Sequence, residues 1–403
     1  MAMLAVAEAL ARVLDGVELL PLERVPLAEA HGRVLGTDLA ALRSQPPEAV
    51  SAMDGYAVRA ADVANAPAEL TVIGEVAAGR PFDGMVRPGE AARIFTGGVL
   101  PPGADTVVIQ ERAERRGAQV VIGKATAAGK NVRAQALDFA QGEVLLRQGR
   151  HLSDRDLALL AGMNHATVPV HARPKVAILG TGDELVAPGT TPGRGQIVYS
   201  NGFAIAALAR REGGEVIDCG IVPDRIEPTL AAIGQVREWG ADILVTTGGA
   251  SVGDYDLVQQ ALAAVGMTLS FWKVALRPGR PMMHGRIGST RVLGLPGNPV
   301  SSYVCAFLFL LPLIRKLGGR GDLMVPSEPA WLGRDLAEND ERADYLRATL
   351  EERPDGTLAA TPFPLQDSSL MTPLAAAQCL VVREPYAPAA KTGTRCTIIK
   401  LGL

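Results

Sequence analysis

The sequence predicts a multidomain α/β protein, and three observations lead to this fold class. The chain has 403 residues, which exceeds one ordinary domain, and 48% of them are apolar, which is enough for several cores. From about residue 173 to about residue 320, strand-like apolar runs alternate with helical patterns, as in a parallel sheet covered by helices. On either side of this segment many patterns are short, valine-rich and broken by glycine or proline, which indicates further β-rich units.

The first forty or so residues are predicted to be helical, and Pro46 and Pro47 end that pattern. Short strands with close turns are then predicted as far as about Arg133, in "ELTVIGEVAAG", "GEAARIFTGG", "GADTVVIQE" and "QVVIG". A helical period returns in "LSDRDLALLAGMN", with Ser153 as its predicted N-cap. After about Gly319 a small β domain is predicted from "YLRATLEE", "TLAATPF" and "TRCTIIK".

Four predicted strands of the α/β segment run into polar loops, namely "GTGDEL", "VPD", "TTGGASVGDYD" and "LPGNP". Ligands of open parallel sheets bind outside the carboxyl ends of the strands, so these loops are expected to form one site. Glycine allows the backbone N–H groups of such loops to approach a ligand closely. In the last loop Asn298 is predicted to cap a helix that begins at Pro299, and a helix start favours an anion.

The loops also carry acidic residues, which are Asp183, Glu184, Asp224, Asp254 and Asp256. Carboxylates repel a phosphate unless a cation intervenes, and Mg²⁺ commonly joins one or two carboxylates to substrate phosphates. The segment "FWKVALRPGRP" adds cations for an anionic substrate, at Lys273, Arg277 and Arg280. Each motif alone is typical of an ordinary turn or capped helix. Together, on one sheet edge, they predict a nucleotide-like or pyrophosphate ligand bridged by Mg²⁺.

Several classes of function are disfavoured by composition. A net charge of −3 and an aromatic content of 4% argue against nucleic-acid binding. Four cysteines without a CxxC pair argue against zinc, redox and disulfide frameworks. The N-terminal segment carries Glu8 and lacks a basic start, so it predicts an amphipathic helix rather than a signal peptide. The apolar run "PVSSYVCAFLFLLPLI" predicts a buried helix rather than a membrane span, and a soluble, cytoplasmic protein is expected.

Six motifs taken in order resemble one family. They are "SAMDGYAVR", "RIFTGGVLPPGADTVV", "GTGDEL", "TTGGASVGDYD", "FWKVALRPGRP" and "LPGNPVSS". The chain is similar over nearly its whole length to the molybdopterin molybdenumtransferases, the MoeA family, whose relatives include the C-terminal domain of gephyrin. Six long motifs in the same order make this resemblance very specific.

The resemblance implies a four-domain architecture. A linking helical and β domain (residues 1–45 and 135–172) is interrupted by an inserted β-rich domain (46–134). An α/β molybdopterin-binding domain (173–320) and a small C-terminal β domain (321–403) follow. It also implies a homodimer with shared active sites, and other cofactor-biosynthesis proteins as possible partners.

The implied reaction inserts molybdenum from molybdate into adenylated molybdopterin, depends on Mg²⁺ and releases AMP. The resemblance implies catalytic roles for Asp54, Asp224, Asp256, Lys273 and Arg277. It implies metal binding by Glu184, Asp224 and Asp256. It implies substrate binding by Thr96, Asp138, Glu184, Gly248, Gly249, Ser251, Arg280, Pro296, Gly297, Asn298, Pro299, Ser301, Arg347 and Ser368.

The chain departs from the family pattern at three positions. Arginines stand at 277 and 280, where the family commonly has lysines, and an arginine offers a planar fork where lysine offers a point charge. Ala136 stands where glycine is usual, close to the predicted site residue Asp138.

Three alternatives remain beside the implied reaction. An adenylyltransferase that makes the adenylated pterin would need only the α/β domain, so "SAMDGYAVR" and the additional domains argue against it. A paralogue that prefers tungstate is not distinguished by the residues. A gephyrin-like scaffold without enzyme activity is disfavoured because the chain has no long linker or fused second domain.

Overall fold

A computed structural model describes residues 3–248 and 257–402, and its largest core surrounds a six-stranded sheet. The six strands, numbered β1 to β6 along the chain, are Lys175–Thr181, Glu215–Val222, Ile243–Thr247, Thr268–Trp272, Met283–Ile287 and Thr290–Leu295. Their order across the sheet is β2-β1-β3-β6-β5-β4. Strands β2, β1, β3 and β6 are mutually parallel, as the sequence predicted. Strands β5 and β4 extend the sheet with antiparallel pairing that the sequence analysis missed, because both are short and lack a continuous apolar run.

Helices cover both faces of this sheet at the predicted places. They are Asn201–Arg211, Ile226–Glu238, Leu257–Ala264 and a continuous apolar helix over Pro299–Leu317. The apolar helix contains a wider π-helical segment, Ala306–Leu310. Within the described part of the chain it is the one helix with the length and composition of a membrane span, and 89% of its most apolar window is buried inside the protein. The prediction of a core helix is therefore confirmed.

The N-terminal segment is helical only over Val6–Leu14, so the prediction of forty helical residues is wrong. Gly16 turns the chain with φ +54°, and prolines then favour an extended path. The helix packs on the α/β core rather than on the strands that follow it. Arg291 of β6 donates to the carbonyl oxygens of Asp15 (2.8 Å) and Gly16 (2.6 Å), which the helix end leaves unpaired.

The linking region is built from parts that lie far apart in the chain. Strand Leu22–Pro26 pairs with Thr167–His171 in an antiparallel ladder. The short strands Leu39–Ala40 and Val144–Leu146 pair in the same way. Its helix, Asp154–Gly162, begins with a capping box in which Ser153 and Asp156 bond each other's backbone N–H, as predicted for Ser153.

The inserted β domain enters and leaves through a narrow neck, where Val50–Ser51 pairs with Val132–Arg133. Its sheet, given in spatial order, consists of Thr106–Ile109, Gly55–Val58, Glu90–Ile94, Ala68–Val76, Gln119–Ile122 and Ala113–Arg116. Two apolar clusters fill its interior. Short 3₁₀ turns occur here and before it, at Leu27–Glu29, Ala60–Val63 and Gln110–Arg112.

The C-terminal domain is a closed five-stranded barrel. Its strands are Ser327–Leu332, Ala343–Glu352, Leu358–Pro362, Cys379–Arg383 and Arg395–Lys400. Closure comes from pairing of the second strand with both the third and the fourth. Leu276–Arg277 of the α/β domain adds a short parallel strand to it. A short helix, Met371–Ala376, lies between two barrel strands in the sequence.

A buried charge network around Glu212 joins the end of the helix Asn201–Arg211 to the end of the apolar helix and the segment that follows it. One carboxylate oxygen of Glu212 accepts from Arg211 Nε at 3.0 Å, and the other accepts from Arg315 Nε at 2.7 Å and Arg320 Nη1 at 3.3 Å. The Glu212 side chain is 1% exposed and that of Arg315 is 4% exposed. Three arginines thus share one buried carboxylate, and Arg315 and Arg320 are largely shielded from water whereas Arg211 is partly exposed. Loss of the Glu212 charge would therefore leave buried positive charge uncompensated.

Candidate functional site

A cleft of about 650 Å³ opens at the carboxyl ends of β1, β2, β3 and β6. Several predicted site residues line it, which are Glu184, Asp224, Gly248, Pro296, Gly297, Asn298 and Pro299. A short parallel pair, Leu185–Val186 with Ile197–Val198, contributes to one wall. The described parts of the polar loops that the sequence assigned to one sheet edge meet there, with Thr247 and Gly248 as the described part of the third loop.

Gly248 provides a bare backbone at the floor of the cleft. Its φ of +93° belongs to the left-handed region, and a Cβ there would lie 2.4 Å from the carbonyl oxygen of Thr181. A Cβ on Gly297 would lie 3.8 Å from the Gly248 Cα, so the two loops touch. Only glycine fits at position 248, because its φ is positive and the Thr181 carbonyl oxygen occupies the place of a Cβ. The close approach of this backbone to a ligand stays a prediction.

The start of the apolar helix differs from the prediction. Asn298 occupies the N-cap position, but its side chain does not cap the helix. Its Nδ2 instead donates to Ser368 Oγ at 2.9 Å, and the Val300 N–H donates to the Ser368 carbonyl oxygen at 3.0 Å. The C-terminal domain thus caps this helix, and since Pro299 has no N–H, the helix start offers an anion fewer free donors than the sequence suggested.

Acidic side chains gather at one end of the cleft. The Asp224 N–H donates to Asp183 Oδ1 at 3.1 Å. Partial burial, together with the charges of Asp183 and Glu184, raises the pKa of Asp224. In the two described ranges, no group of three or more His, Cys, Asp or Glu side chains is arranged to hold a metal ion. The predicted residues Gly249, Ser251 and Asp256 lie outside the described residues.

The three predicted cations have different surroundings. Arg277 is bound by the barrel, since Nε donates to Asp344 Oδ1 at 2.6 Å and Nη1 to Asp340 Oδ2 at 3.2 Å, and Nη2 donates to Asp344 as well. Its guanidinium therefore joins two domains. Lys273 Nζ lies 4.5 Å from the centre of the Trp272 ring. Arg280 is exposed and precedes Pro281, which lines the cleft.

Arg347 is fully buried directly behind the cleft wall formed by Ser369 and Met371. Its Nε donates to Gln366 Oε1 at 3.1 Å, and its Nη1 donates to the carbonyl oxygens of Asp367 (3.0 Å) and Leu370 (3.2 Å). Its Nη2 is buried and has no hydrogen-bond partner among the described residues. Burial lowers the pKa of Arg347, although a guanidinium stays charged at neutral pH. Ser301, the other predicted residue near this wall, is buried in the first turn of the apolar helix.

Asp54 and Thr96 meet in the inserted β domain. Asp54 Oδ1 accepts from the Thr96 N–H and from Thr96 Oγ1, both at 2.8 Å. Among the described residues that line the cleft, none comes from the inserted domain. Asp138 is exposed and follows Ala136, whose φ of +58° explains why glycine suits that position.

Sequence reasoning missed several residues that line the cleft. They are Thr181, Leu185, Ile197, Val198, Tyr199, Ser200, Asn201, Thr247, Pro281, Ser369 and Met371. Thr181 and Thr247 could have been found, because each ends a strand that runs into a predicted loop. Thr181 Oγ1 is buried without a partner among the described residues. Asn201 Nδ2 donates to the Gly297 carbonyl oxygen at 2.7 Å, which links the first residue of the helix Asn201–Arg211 to a loop almost a hundred residues away.

A second, mostly apolar chamber of about 470 Å³ adjoins the cleft. The two cavities share Ser200, Asn201, Pro299 and Met371. The chamber is otherwise lined by Ala204, Tyr303, Leu374, Ala375, Ala377, Leu401 and Gly402. Together the cavities provide room for a ligand with a polar centre and a flat apolar part.

Comparisons with known proteins match the whole length of this architecture. Family models match in chain order: the MoeA N-terminal region (domain I and II) over residues 4–163, a probable molybdopterin binding domain over 177–316 and the MoeA C-terminal region (domain IV) over 329–401. A molybdopterin molybdenumtransferase from a Nostoc species is 42% identical over 74% of this chain and 70% of its own length. One from Haemophilus influenzae is 33% identical over 93% of both chains. The crystal structure of a molybdopterin biosynthesis MoeA protein from Pyrococcus horikosii covers 100% of both chains with a TM-score of 0.86 at 30% identity. These matches confirm the resemblance carried by the six motifs.

Proposed function

Because the chain belongs to the MoeA family and is an enzyme of molybdenum cofactor biosynthesis, we propose that it inserts molybdenum from molybdate into adenylated molybdopterin and releases AMP. The observation that carries this proposal is the composition of the cleft. Carboxylates and bare glycine backbone line the cleft, and buried Arg347 contacts the segment that carries the lining residues Ser369 and Met371. Among the described residues, Nη2 of Arg347 has no hydrogen-bond partner. Such a cleft suits a ligand with a phosphate chain and a separate oxyanion.

The size of the cavities supports an adenylated pterin. Pockets for drug-sized ligands are commonly about 300–1,000 Å³, and the cleft alone lies within that range. The adjoining apolar chamber leaves space for a second flat ring system. Adenine and pterin are two such rings, joined through the pyrophosphate that the polar centre of the cleft would hold.

Mg²⁺ belongs to the same proposal, with Glu184, Asp224 and Asp256 as the residues that would hold it. The raised pKa of Asp224 fits this assignment, because crowded carboxylates are relieved by a cation. Mg²⁺ in proteins is commonly bound by one or two carboxylates together with substrate phosphates and waters, so a complete cage of protein ligands is not needed. When bound, the ion would neutralise charge on the pyrophosphate.

We assign the remaining work to this chain's own residues. The loops at Gly248 and Gly297 hold the AMP phosphate through backbone groups, and Lys273 supports the same charge. Arg280, Ser301, Arg347 and Ser368 hold molybdate. The two dithiolene sulfurs of the pterin replace two oxygens of molybdate. One of these oxygens balances the oxygen that phosphorus gains when the P–O–P bond breaks, the other leaves with the thiol protons as water, and AMP is released. The thiolates come from the substrate, so the chemistry requires no cysteine pair from the protein. A cytoplasmic location is part of this proposal.

The test is an assay of the purified protein with adenylated molybdopterin, Mg²⁺ and molybdate, in which AMP and molybdenum cofactor are quantified. AMP release that requires both the oxyanion and Mg²⁺ is the expected result. A tungstate arm measures oxyanion preference. Adenylation of molybdopterin from ATP, without molybdate-dependent AMP release, would instead identify an adenylyltransferase.

Asp224→Asn is expected to weaken Mg²⁺ binding by at least about tenfold, because one carboxylate ligand is lost. The readout is calorimetric titration of Mg²⁺ into the protein in the presence of AMP, which needs no turnover. Glu227→Gln is the matched control, since Glu227 is an exposed acid nearby that does not line the cleft. Equal Mg²⁺ affinity for Asp224→Asn and wild type would contradict the metal assignment.

We further propose that the protein is a homodimer in which each site combines two chains, with other cofactor-biosynthesis proteins as partners. The support is the position of Asp54 and Thr96, which do not line the cleft of their own chain. Contacts across a two-fold dimer are reciprocal. If Asp54 of one chain reaches the cleft of the second chain, Asp54 of the second chain reaches the cleft of the first.

Mixing two inactive variants, Asp54→Ala and Asp256→Ala, after subunit exchange is expected to restore about a quarter of wild-type activity. Half of the re-formed dimers are mixed, and each mixed dimer contains one intact site and one doubly altered site. If both residues served the site of their own chain, every site in a mixed dimer would contain one substitution and no activity would return. A mixture that stays inactive, with exchange verified by mass spectrometry, would contradict the shared site.

A further inference from the structure

The edge of the inserted domain that carries Asp54 and Thr96 is organised around one arginine. Arg93 lies in the strand Glu90–Ile94, and its Nη1 donates to the carbonyl oxygen of Gly55 at 3.1 Å. Its guanidinium carbon also lies 4.8 Å from the centre of the Phe95 ring. Arg93 thus contacts the residue that follows Asp54 and the residue that precedes Thr96.

A second route joins Arg93 to Asp54 through Gln110. Arg93 Nη2 donates to Gln110 Oε1 at 2.8 Å, and the Gln110 N–H donates to the Asp54 carbonyl oxygen at 3.0 Å. The Tyr56 ring lies 5.2 Å from the guanidinium carbon and closes the arrangement from a further side. The guanidinium of Arg93 therefore joins its own strand to the strand Gly55–Val58 and to the 3₁₀ turn Gln110–Arg112.

The Asp54 carboxylate is oriented by this arrangement. Both hydrogen bonds from Thr96 reach Oδ1, and Oδ2 has no hydrogen-bond partner among the described residues. The hydrogen bonds from Thr96 lower the pKa of Asp54, and the positive charge of Arg93 lowers it further. One oxygen is thus fixed while the other is presented as an ionised acceptor.

We propose that Arg93 is a positioning residue for Asp54, holding the carboxylate in the orientation that the reaction uses. The inference rests on the role of Asp54 in the proposed function. An arginine suits the task because its planar group stacks on an aromatic ring and donates two hydrogen bonds in fixed directions. A lysine would keep the charge but would lose both directional features.

The other charged groups near this edge supply a matched control. Glu75 and Arg115 line the same surface hollow as Arg93, and Glu111 follows Gln110 on the short 3₁₀ turn. The Arg115 guanidinium donates to the Gly117 carbonyl oxygen at 2.6 Å and makes no hydrogen bond to the Asp54 or Thr96 segments. Arg115→Gln therefore removes a neighbouring cation without disturbing the contacts described above.

The experiment compares Arg93→Gln, Arg93→Lys and Arg115→Gln in the full-length protein. The Asp54 pKa is measured by NMR of ¹³C-labelled aspartate, with Asp54→Asn used to identify the resonance, and AMP release is measured against pH. In Arg93→Gln we expect a higher Asp54 pKa, an acid limb of the pH profile moved to higher pH, and a kcat reduced roughly tenfold or more. Arg93→Lys is expected to keep the lowered pKa but lose turnover, and Arg115→Gln to match wild type in both readouts.

An Asp54 pKa in Arg93→Gln equal to that of wild type would overturn the positioning role. The same holds if Arg115→Gln changes the Asp54 pKa and the turnover as much as Arg93→Gln does. If Arg93→Gln fails to fold, Arg93→Lys carries the test, and wild-type turnover in that variant would overturn the inference. Failure of the proposed function is distinguishable, because it would appear as the absence of molybdate-dependent AMP release in the wild-type protein. Wild-type AMP release by Asp54→Asn would instead contradict the role of Asp54 alone. The NMR result for Arg93→Gln does not depend on turnover.

Discussion

Arg347→Gln is expected to raise the molybdate concentration needed for half-maximal AMP release by about 100-fold, with the affinity for adenylated pterin almost unchanged. The magnitude follows from one charge-assisted hydrogen bond, worth about 1.5–3 kcal/mol, of which each 1.4 kcal/mol changes affinity tenfold. A buried guanidinium nitrogen without a partner is costly unless a ligand completes its hydrogen bonding. Nη2 of Arg347 has no partner among the described residues, and we expect molybdate to complete its hydrogen bonding.

The structural setting explains why an effect specific to molybdate is expected. The other nitrogens of Arg347 hold the loop of Gln366, Asp367 and Leu370, and this loop brings Ser368 to the start of the apolar helix. Glutamine can preserve part of the loop contact but supplies no positive charge. Glycine backbone and carboxylates at the other loops are left intact, so pterin binding should persist.

AMP release is measured as a function of molybdate concentration, and pterin affinity is measured separately by fluorescence titration without molybdate. Arg353→Gln, at an exposed position of the same domain, serves as the control and is expected to behave as wild type. A parallel loss of pterin affinity in Arg347→Gln would show that the residue binds the pterin ligand, or only shapes the loop, and does not bind molybdate.

Glu212→Gln is expected to lower the free energy of unfolding of the α/β domain by about 3 kcal/mol, because removing one partner of a buried ion network leaves the others uncompensated. Arg315 is nearly as buried as Glu212, and Arg320 is largely shielded from water as well. The network also holds neighbouring backbone, since Arg315 Nη1 donates to the Asp322 carbonyl oxygen at 2.9 Å. Glutamine keeps the shape of the side chain but offers three arginines no negative charge.

Hydrogen exchange of the amides in Leu311–Leu317 reports the local free energy of opening, and a thermal melt reports the whole chain. The matched control is Glu8→Gln, which removes an exposed pair with Arg12 four residues away. That control is expected to cost less than about 0.5 kcal/mol. Equal exchange rates for Glu212→Gln and Glu8→Gln would contradict the assignment of the buried network as a stabilising hub.

Much of the fold was predictable because its signals are local. Apolar runs predict the parallel strands β1, β3 and β6, and the alternation of strands and helices predicts β2 although Asp218 interrupts its apolar run. The helix Asp154–Gly162 follows from Ser153 and a helical period. The prediction failed in the N-terminal segment, where the amphipathic period ends at Leu14. Gly16 and the prolines that follow then direct the chain into strands, so the local breakers outweighed the composition. The antiparallel strands β4 and β5 were missed, because their pairing depends on a neighbour rather than on their own pattern.

Part of the candidate site was likewise predictable from local sequence, and part depends on long-range contacts. Strand polarity alone placed Glu184, Asp224 and Gly248 at one sheet edge, since parallel strands bring their carboxyl ends together. The prediction that Asn298 caps the helix was wrong, because the donor it would have satisfied is taken by Ser368, seventy residues away. No local signal encodes such a pairing.

The family, the order of the domains and the loops that line the cleft were predictable from the sequence, because motifs and periodicity are properties of short segments. Three features depend on long-range packing that no local pattern predicts. Arg277 is bound by Asp344 of the barrel, Nη2 of Arg347 has no partner among the described residues, and Arg93 contacts the segment of Asp54. In each case the partners are brought together by the packing of separate segments. The charge of an arginine is fixed by its chemistry, but whether that charge is used for structure or left for a ligand depends on which acceptors the fold places within hydrogen-bonding distance.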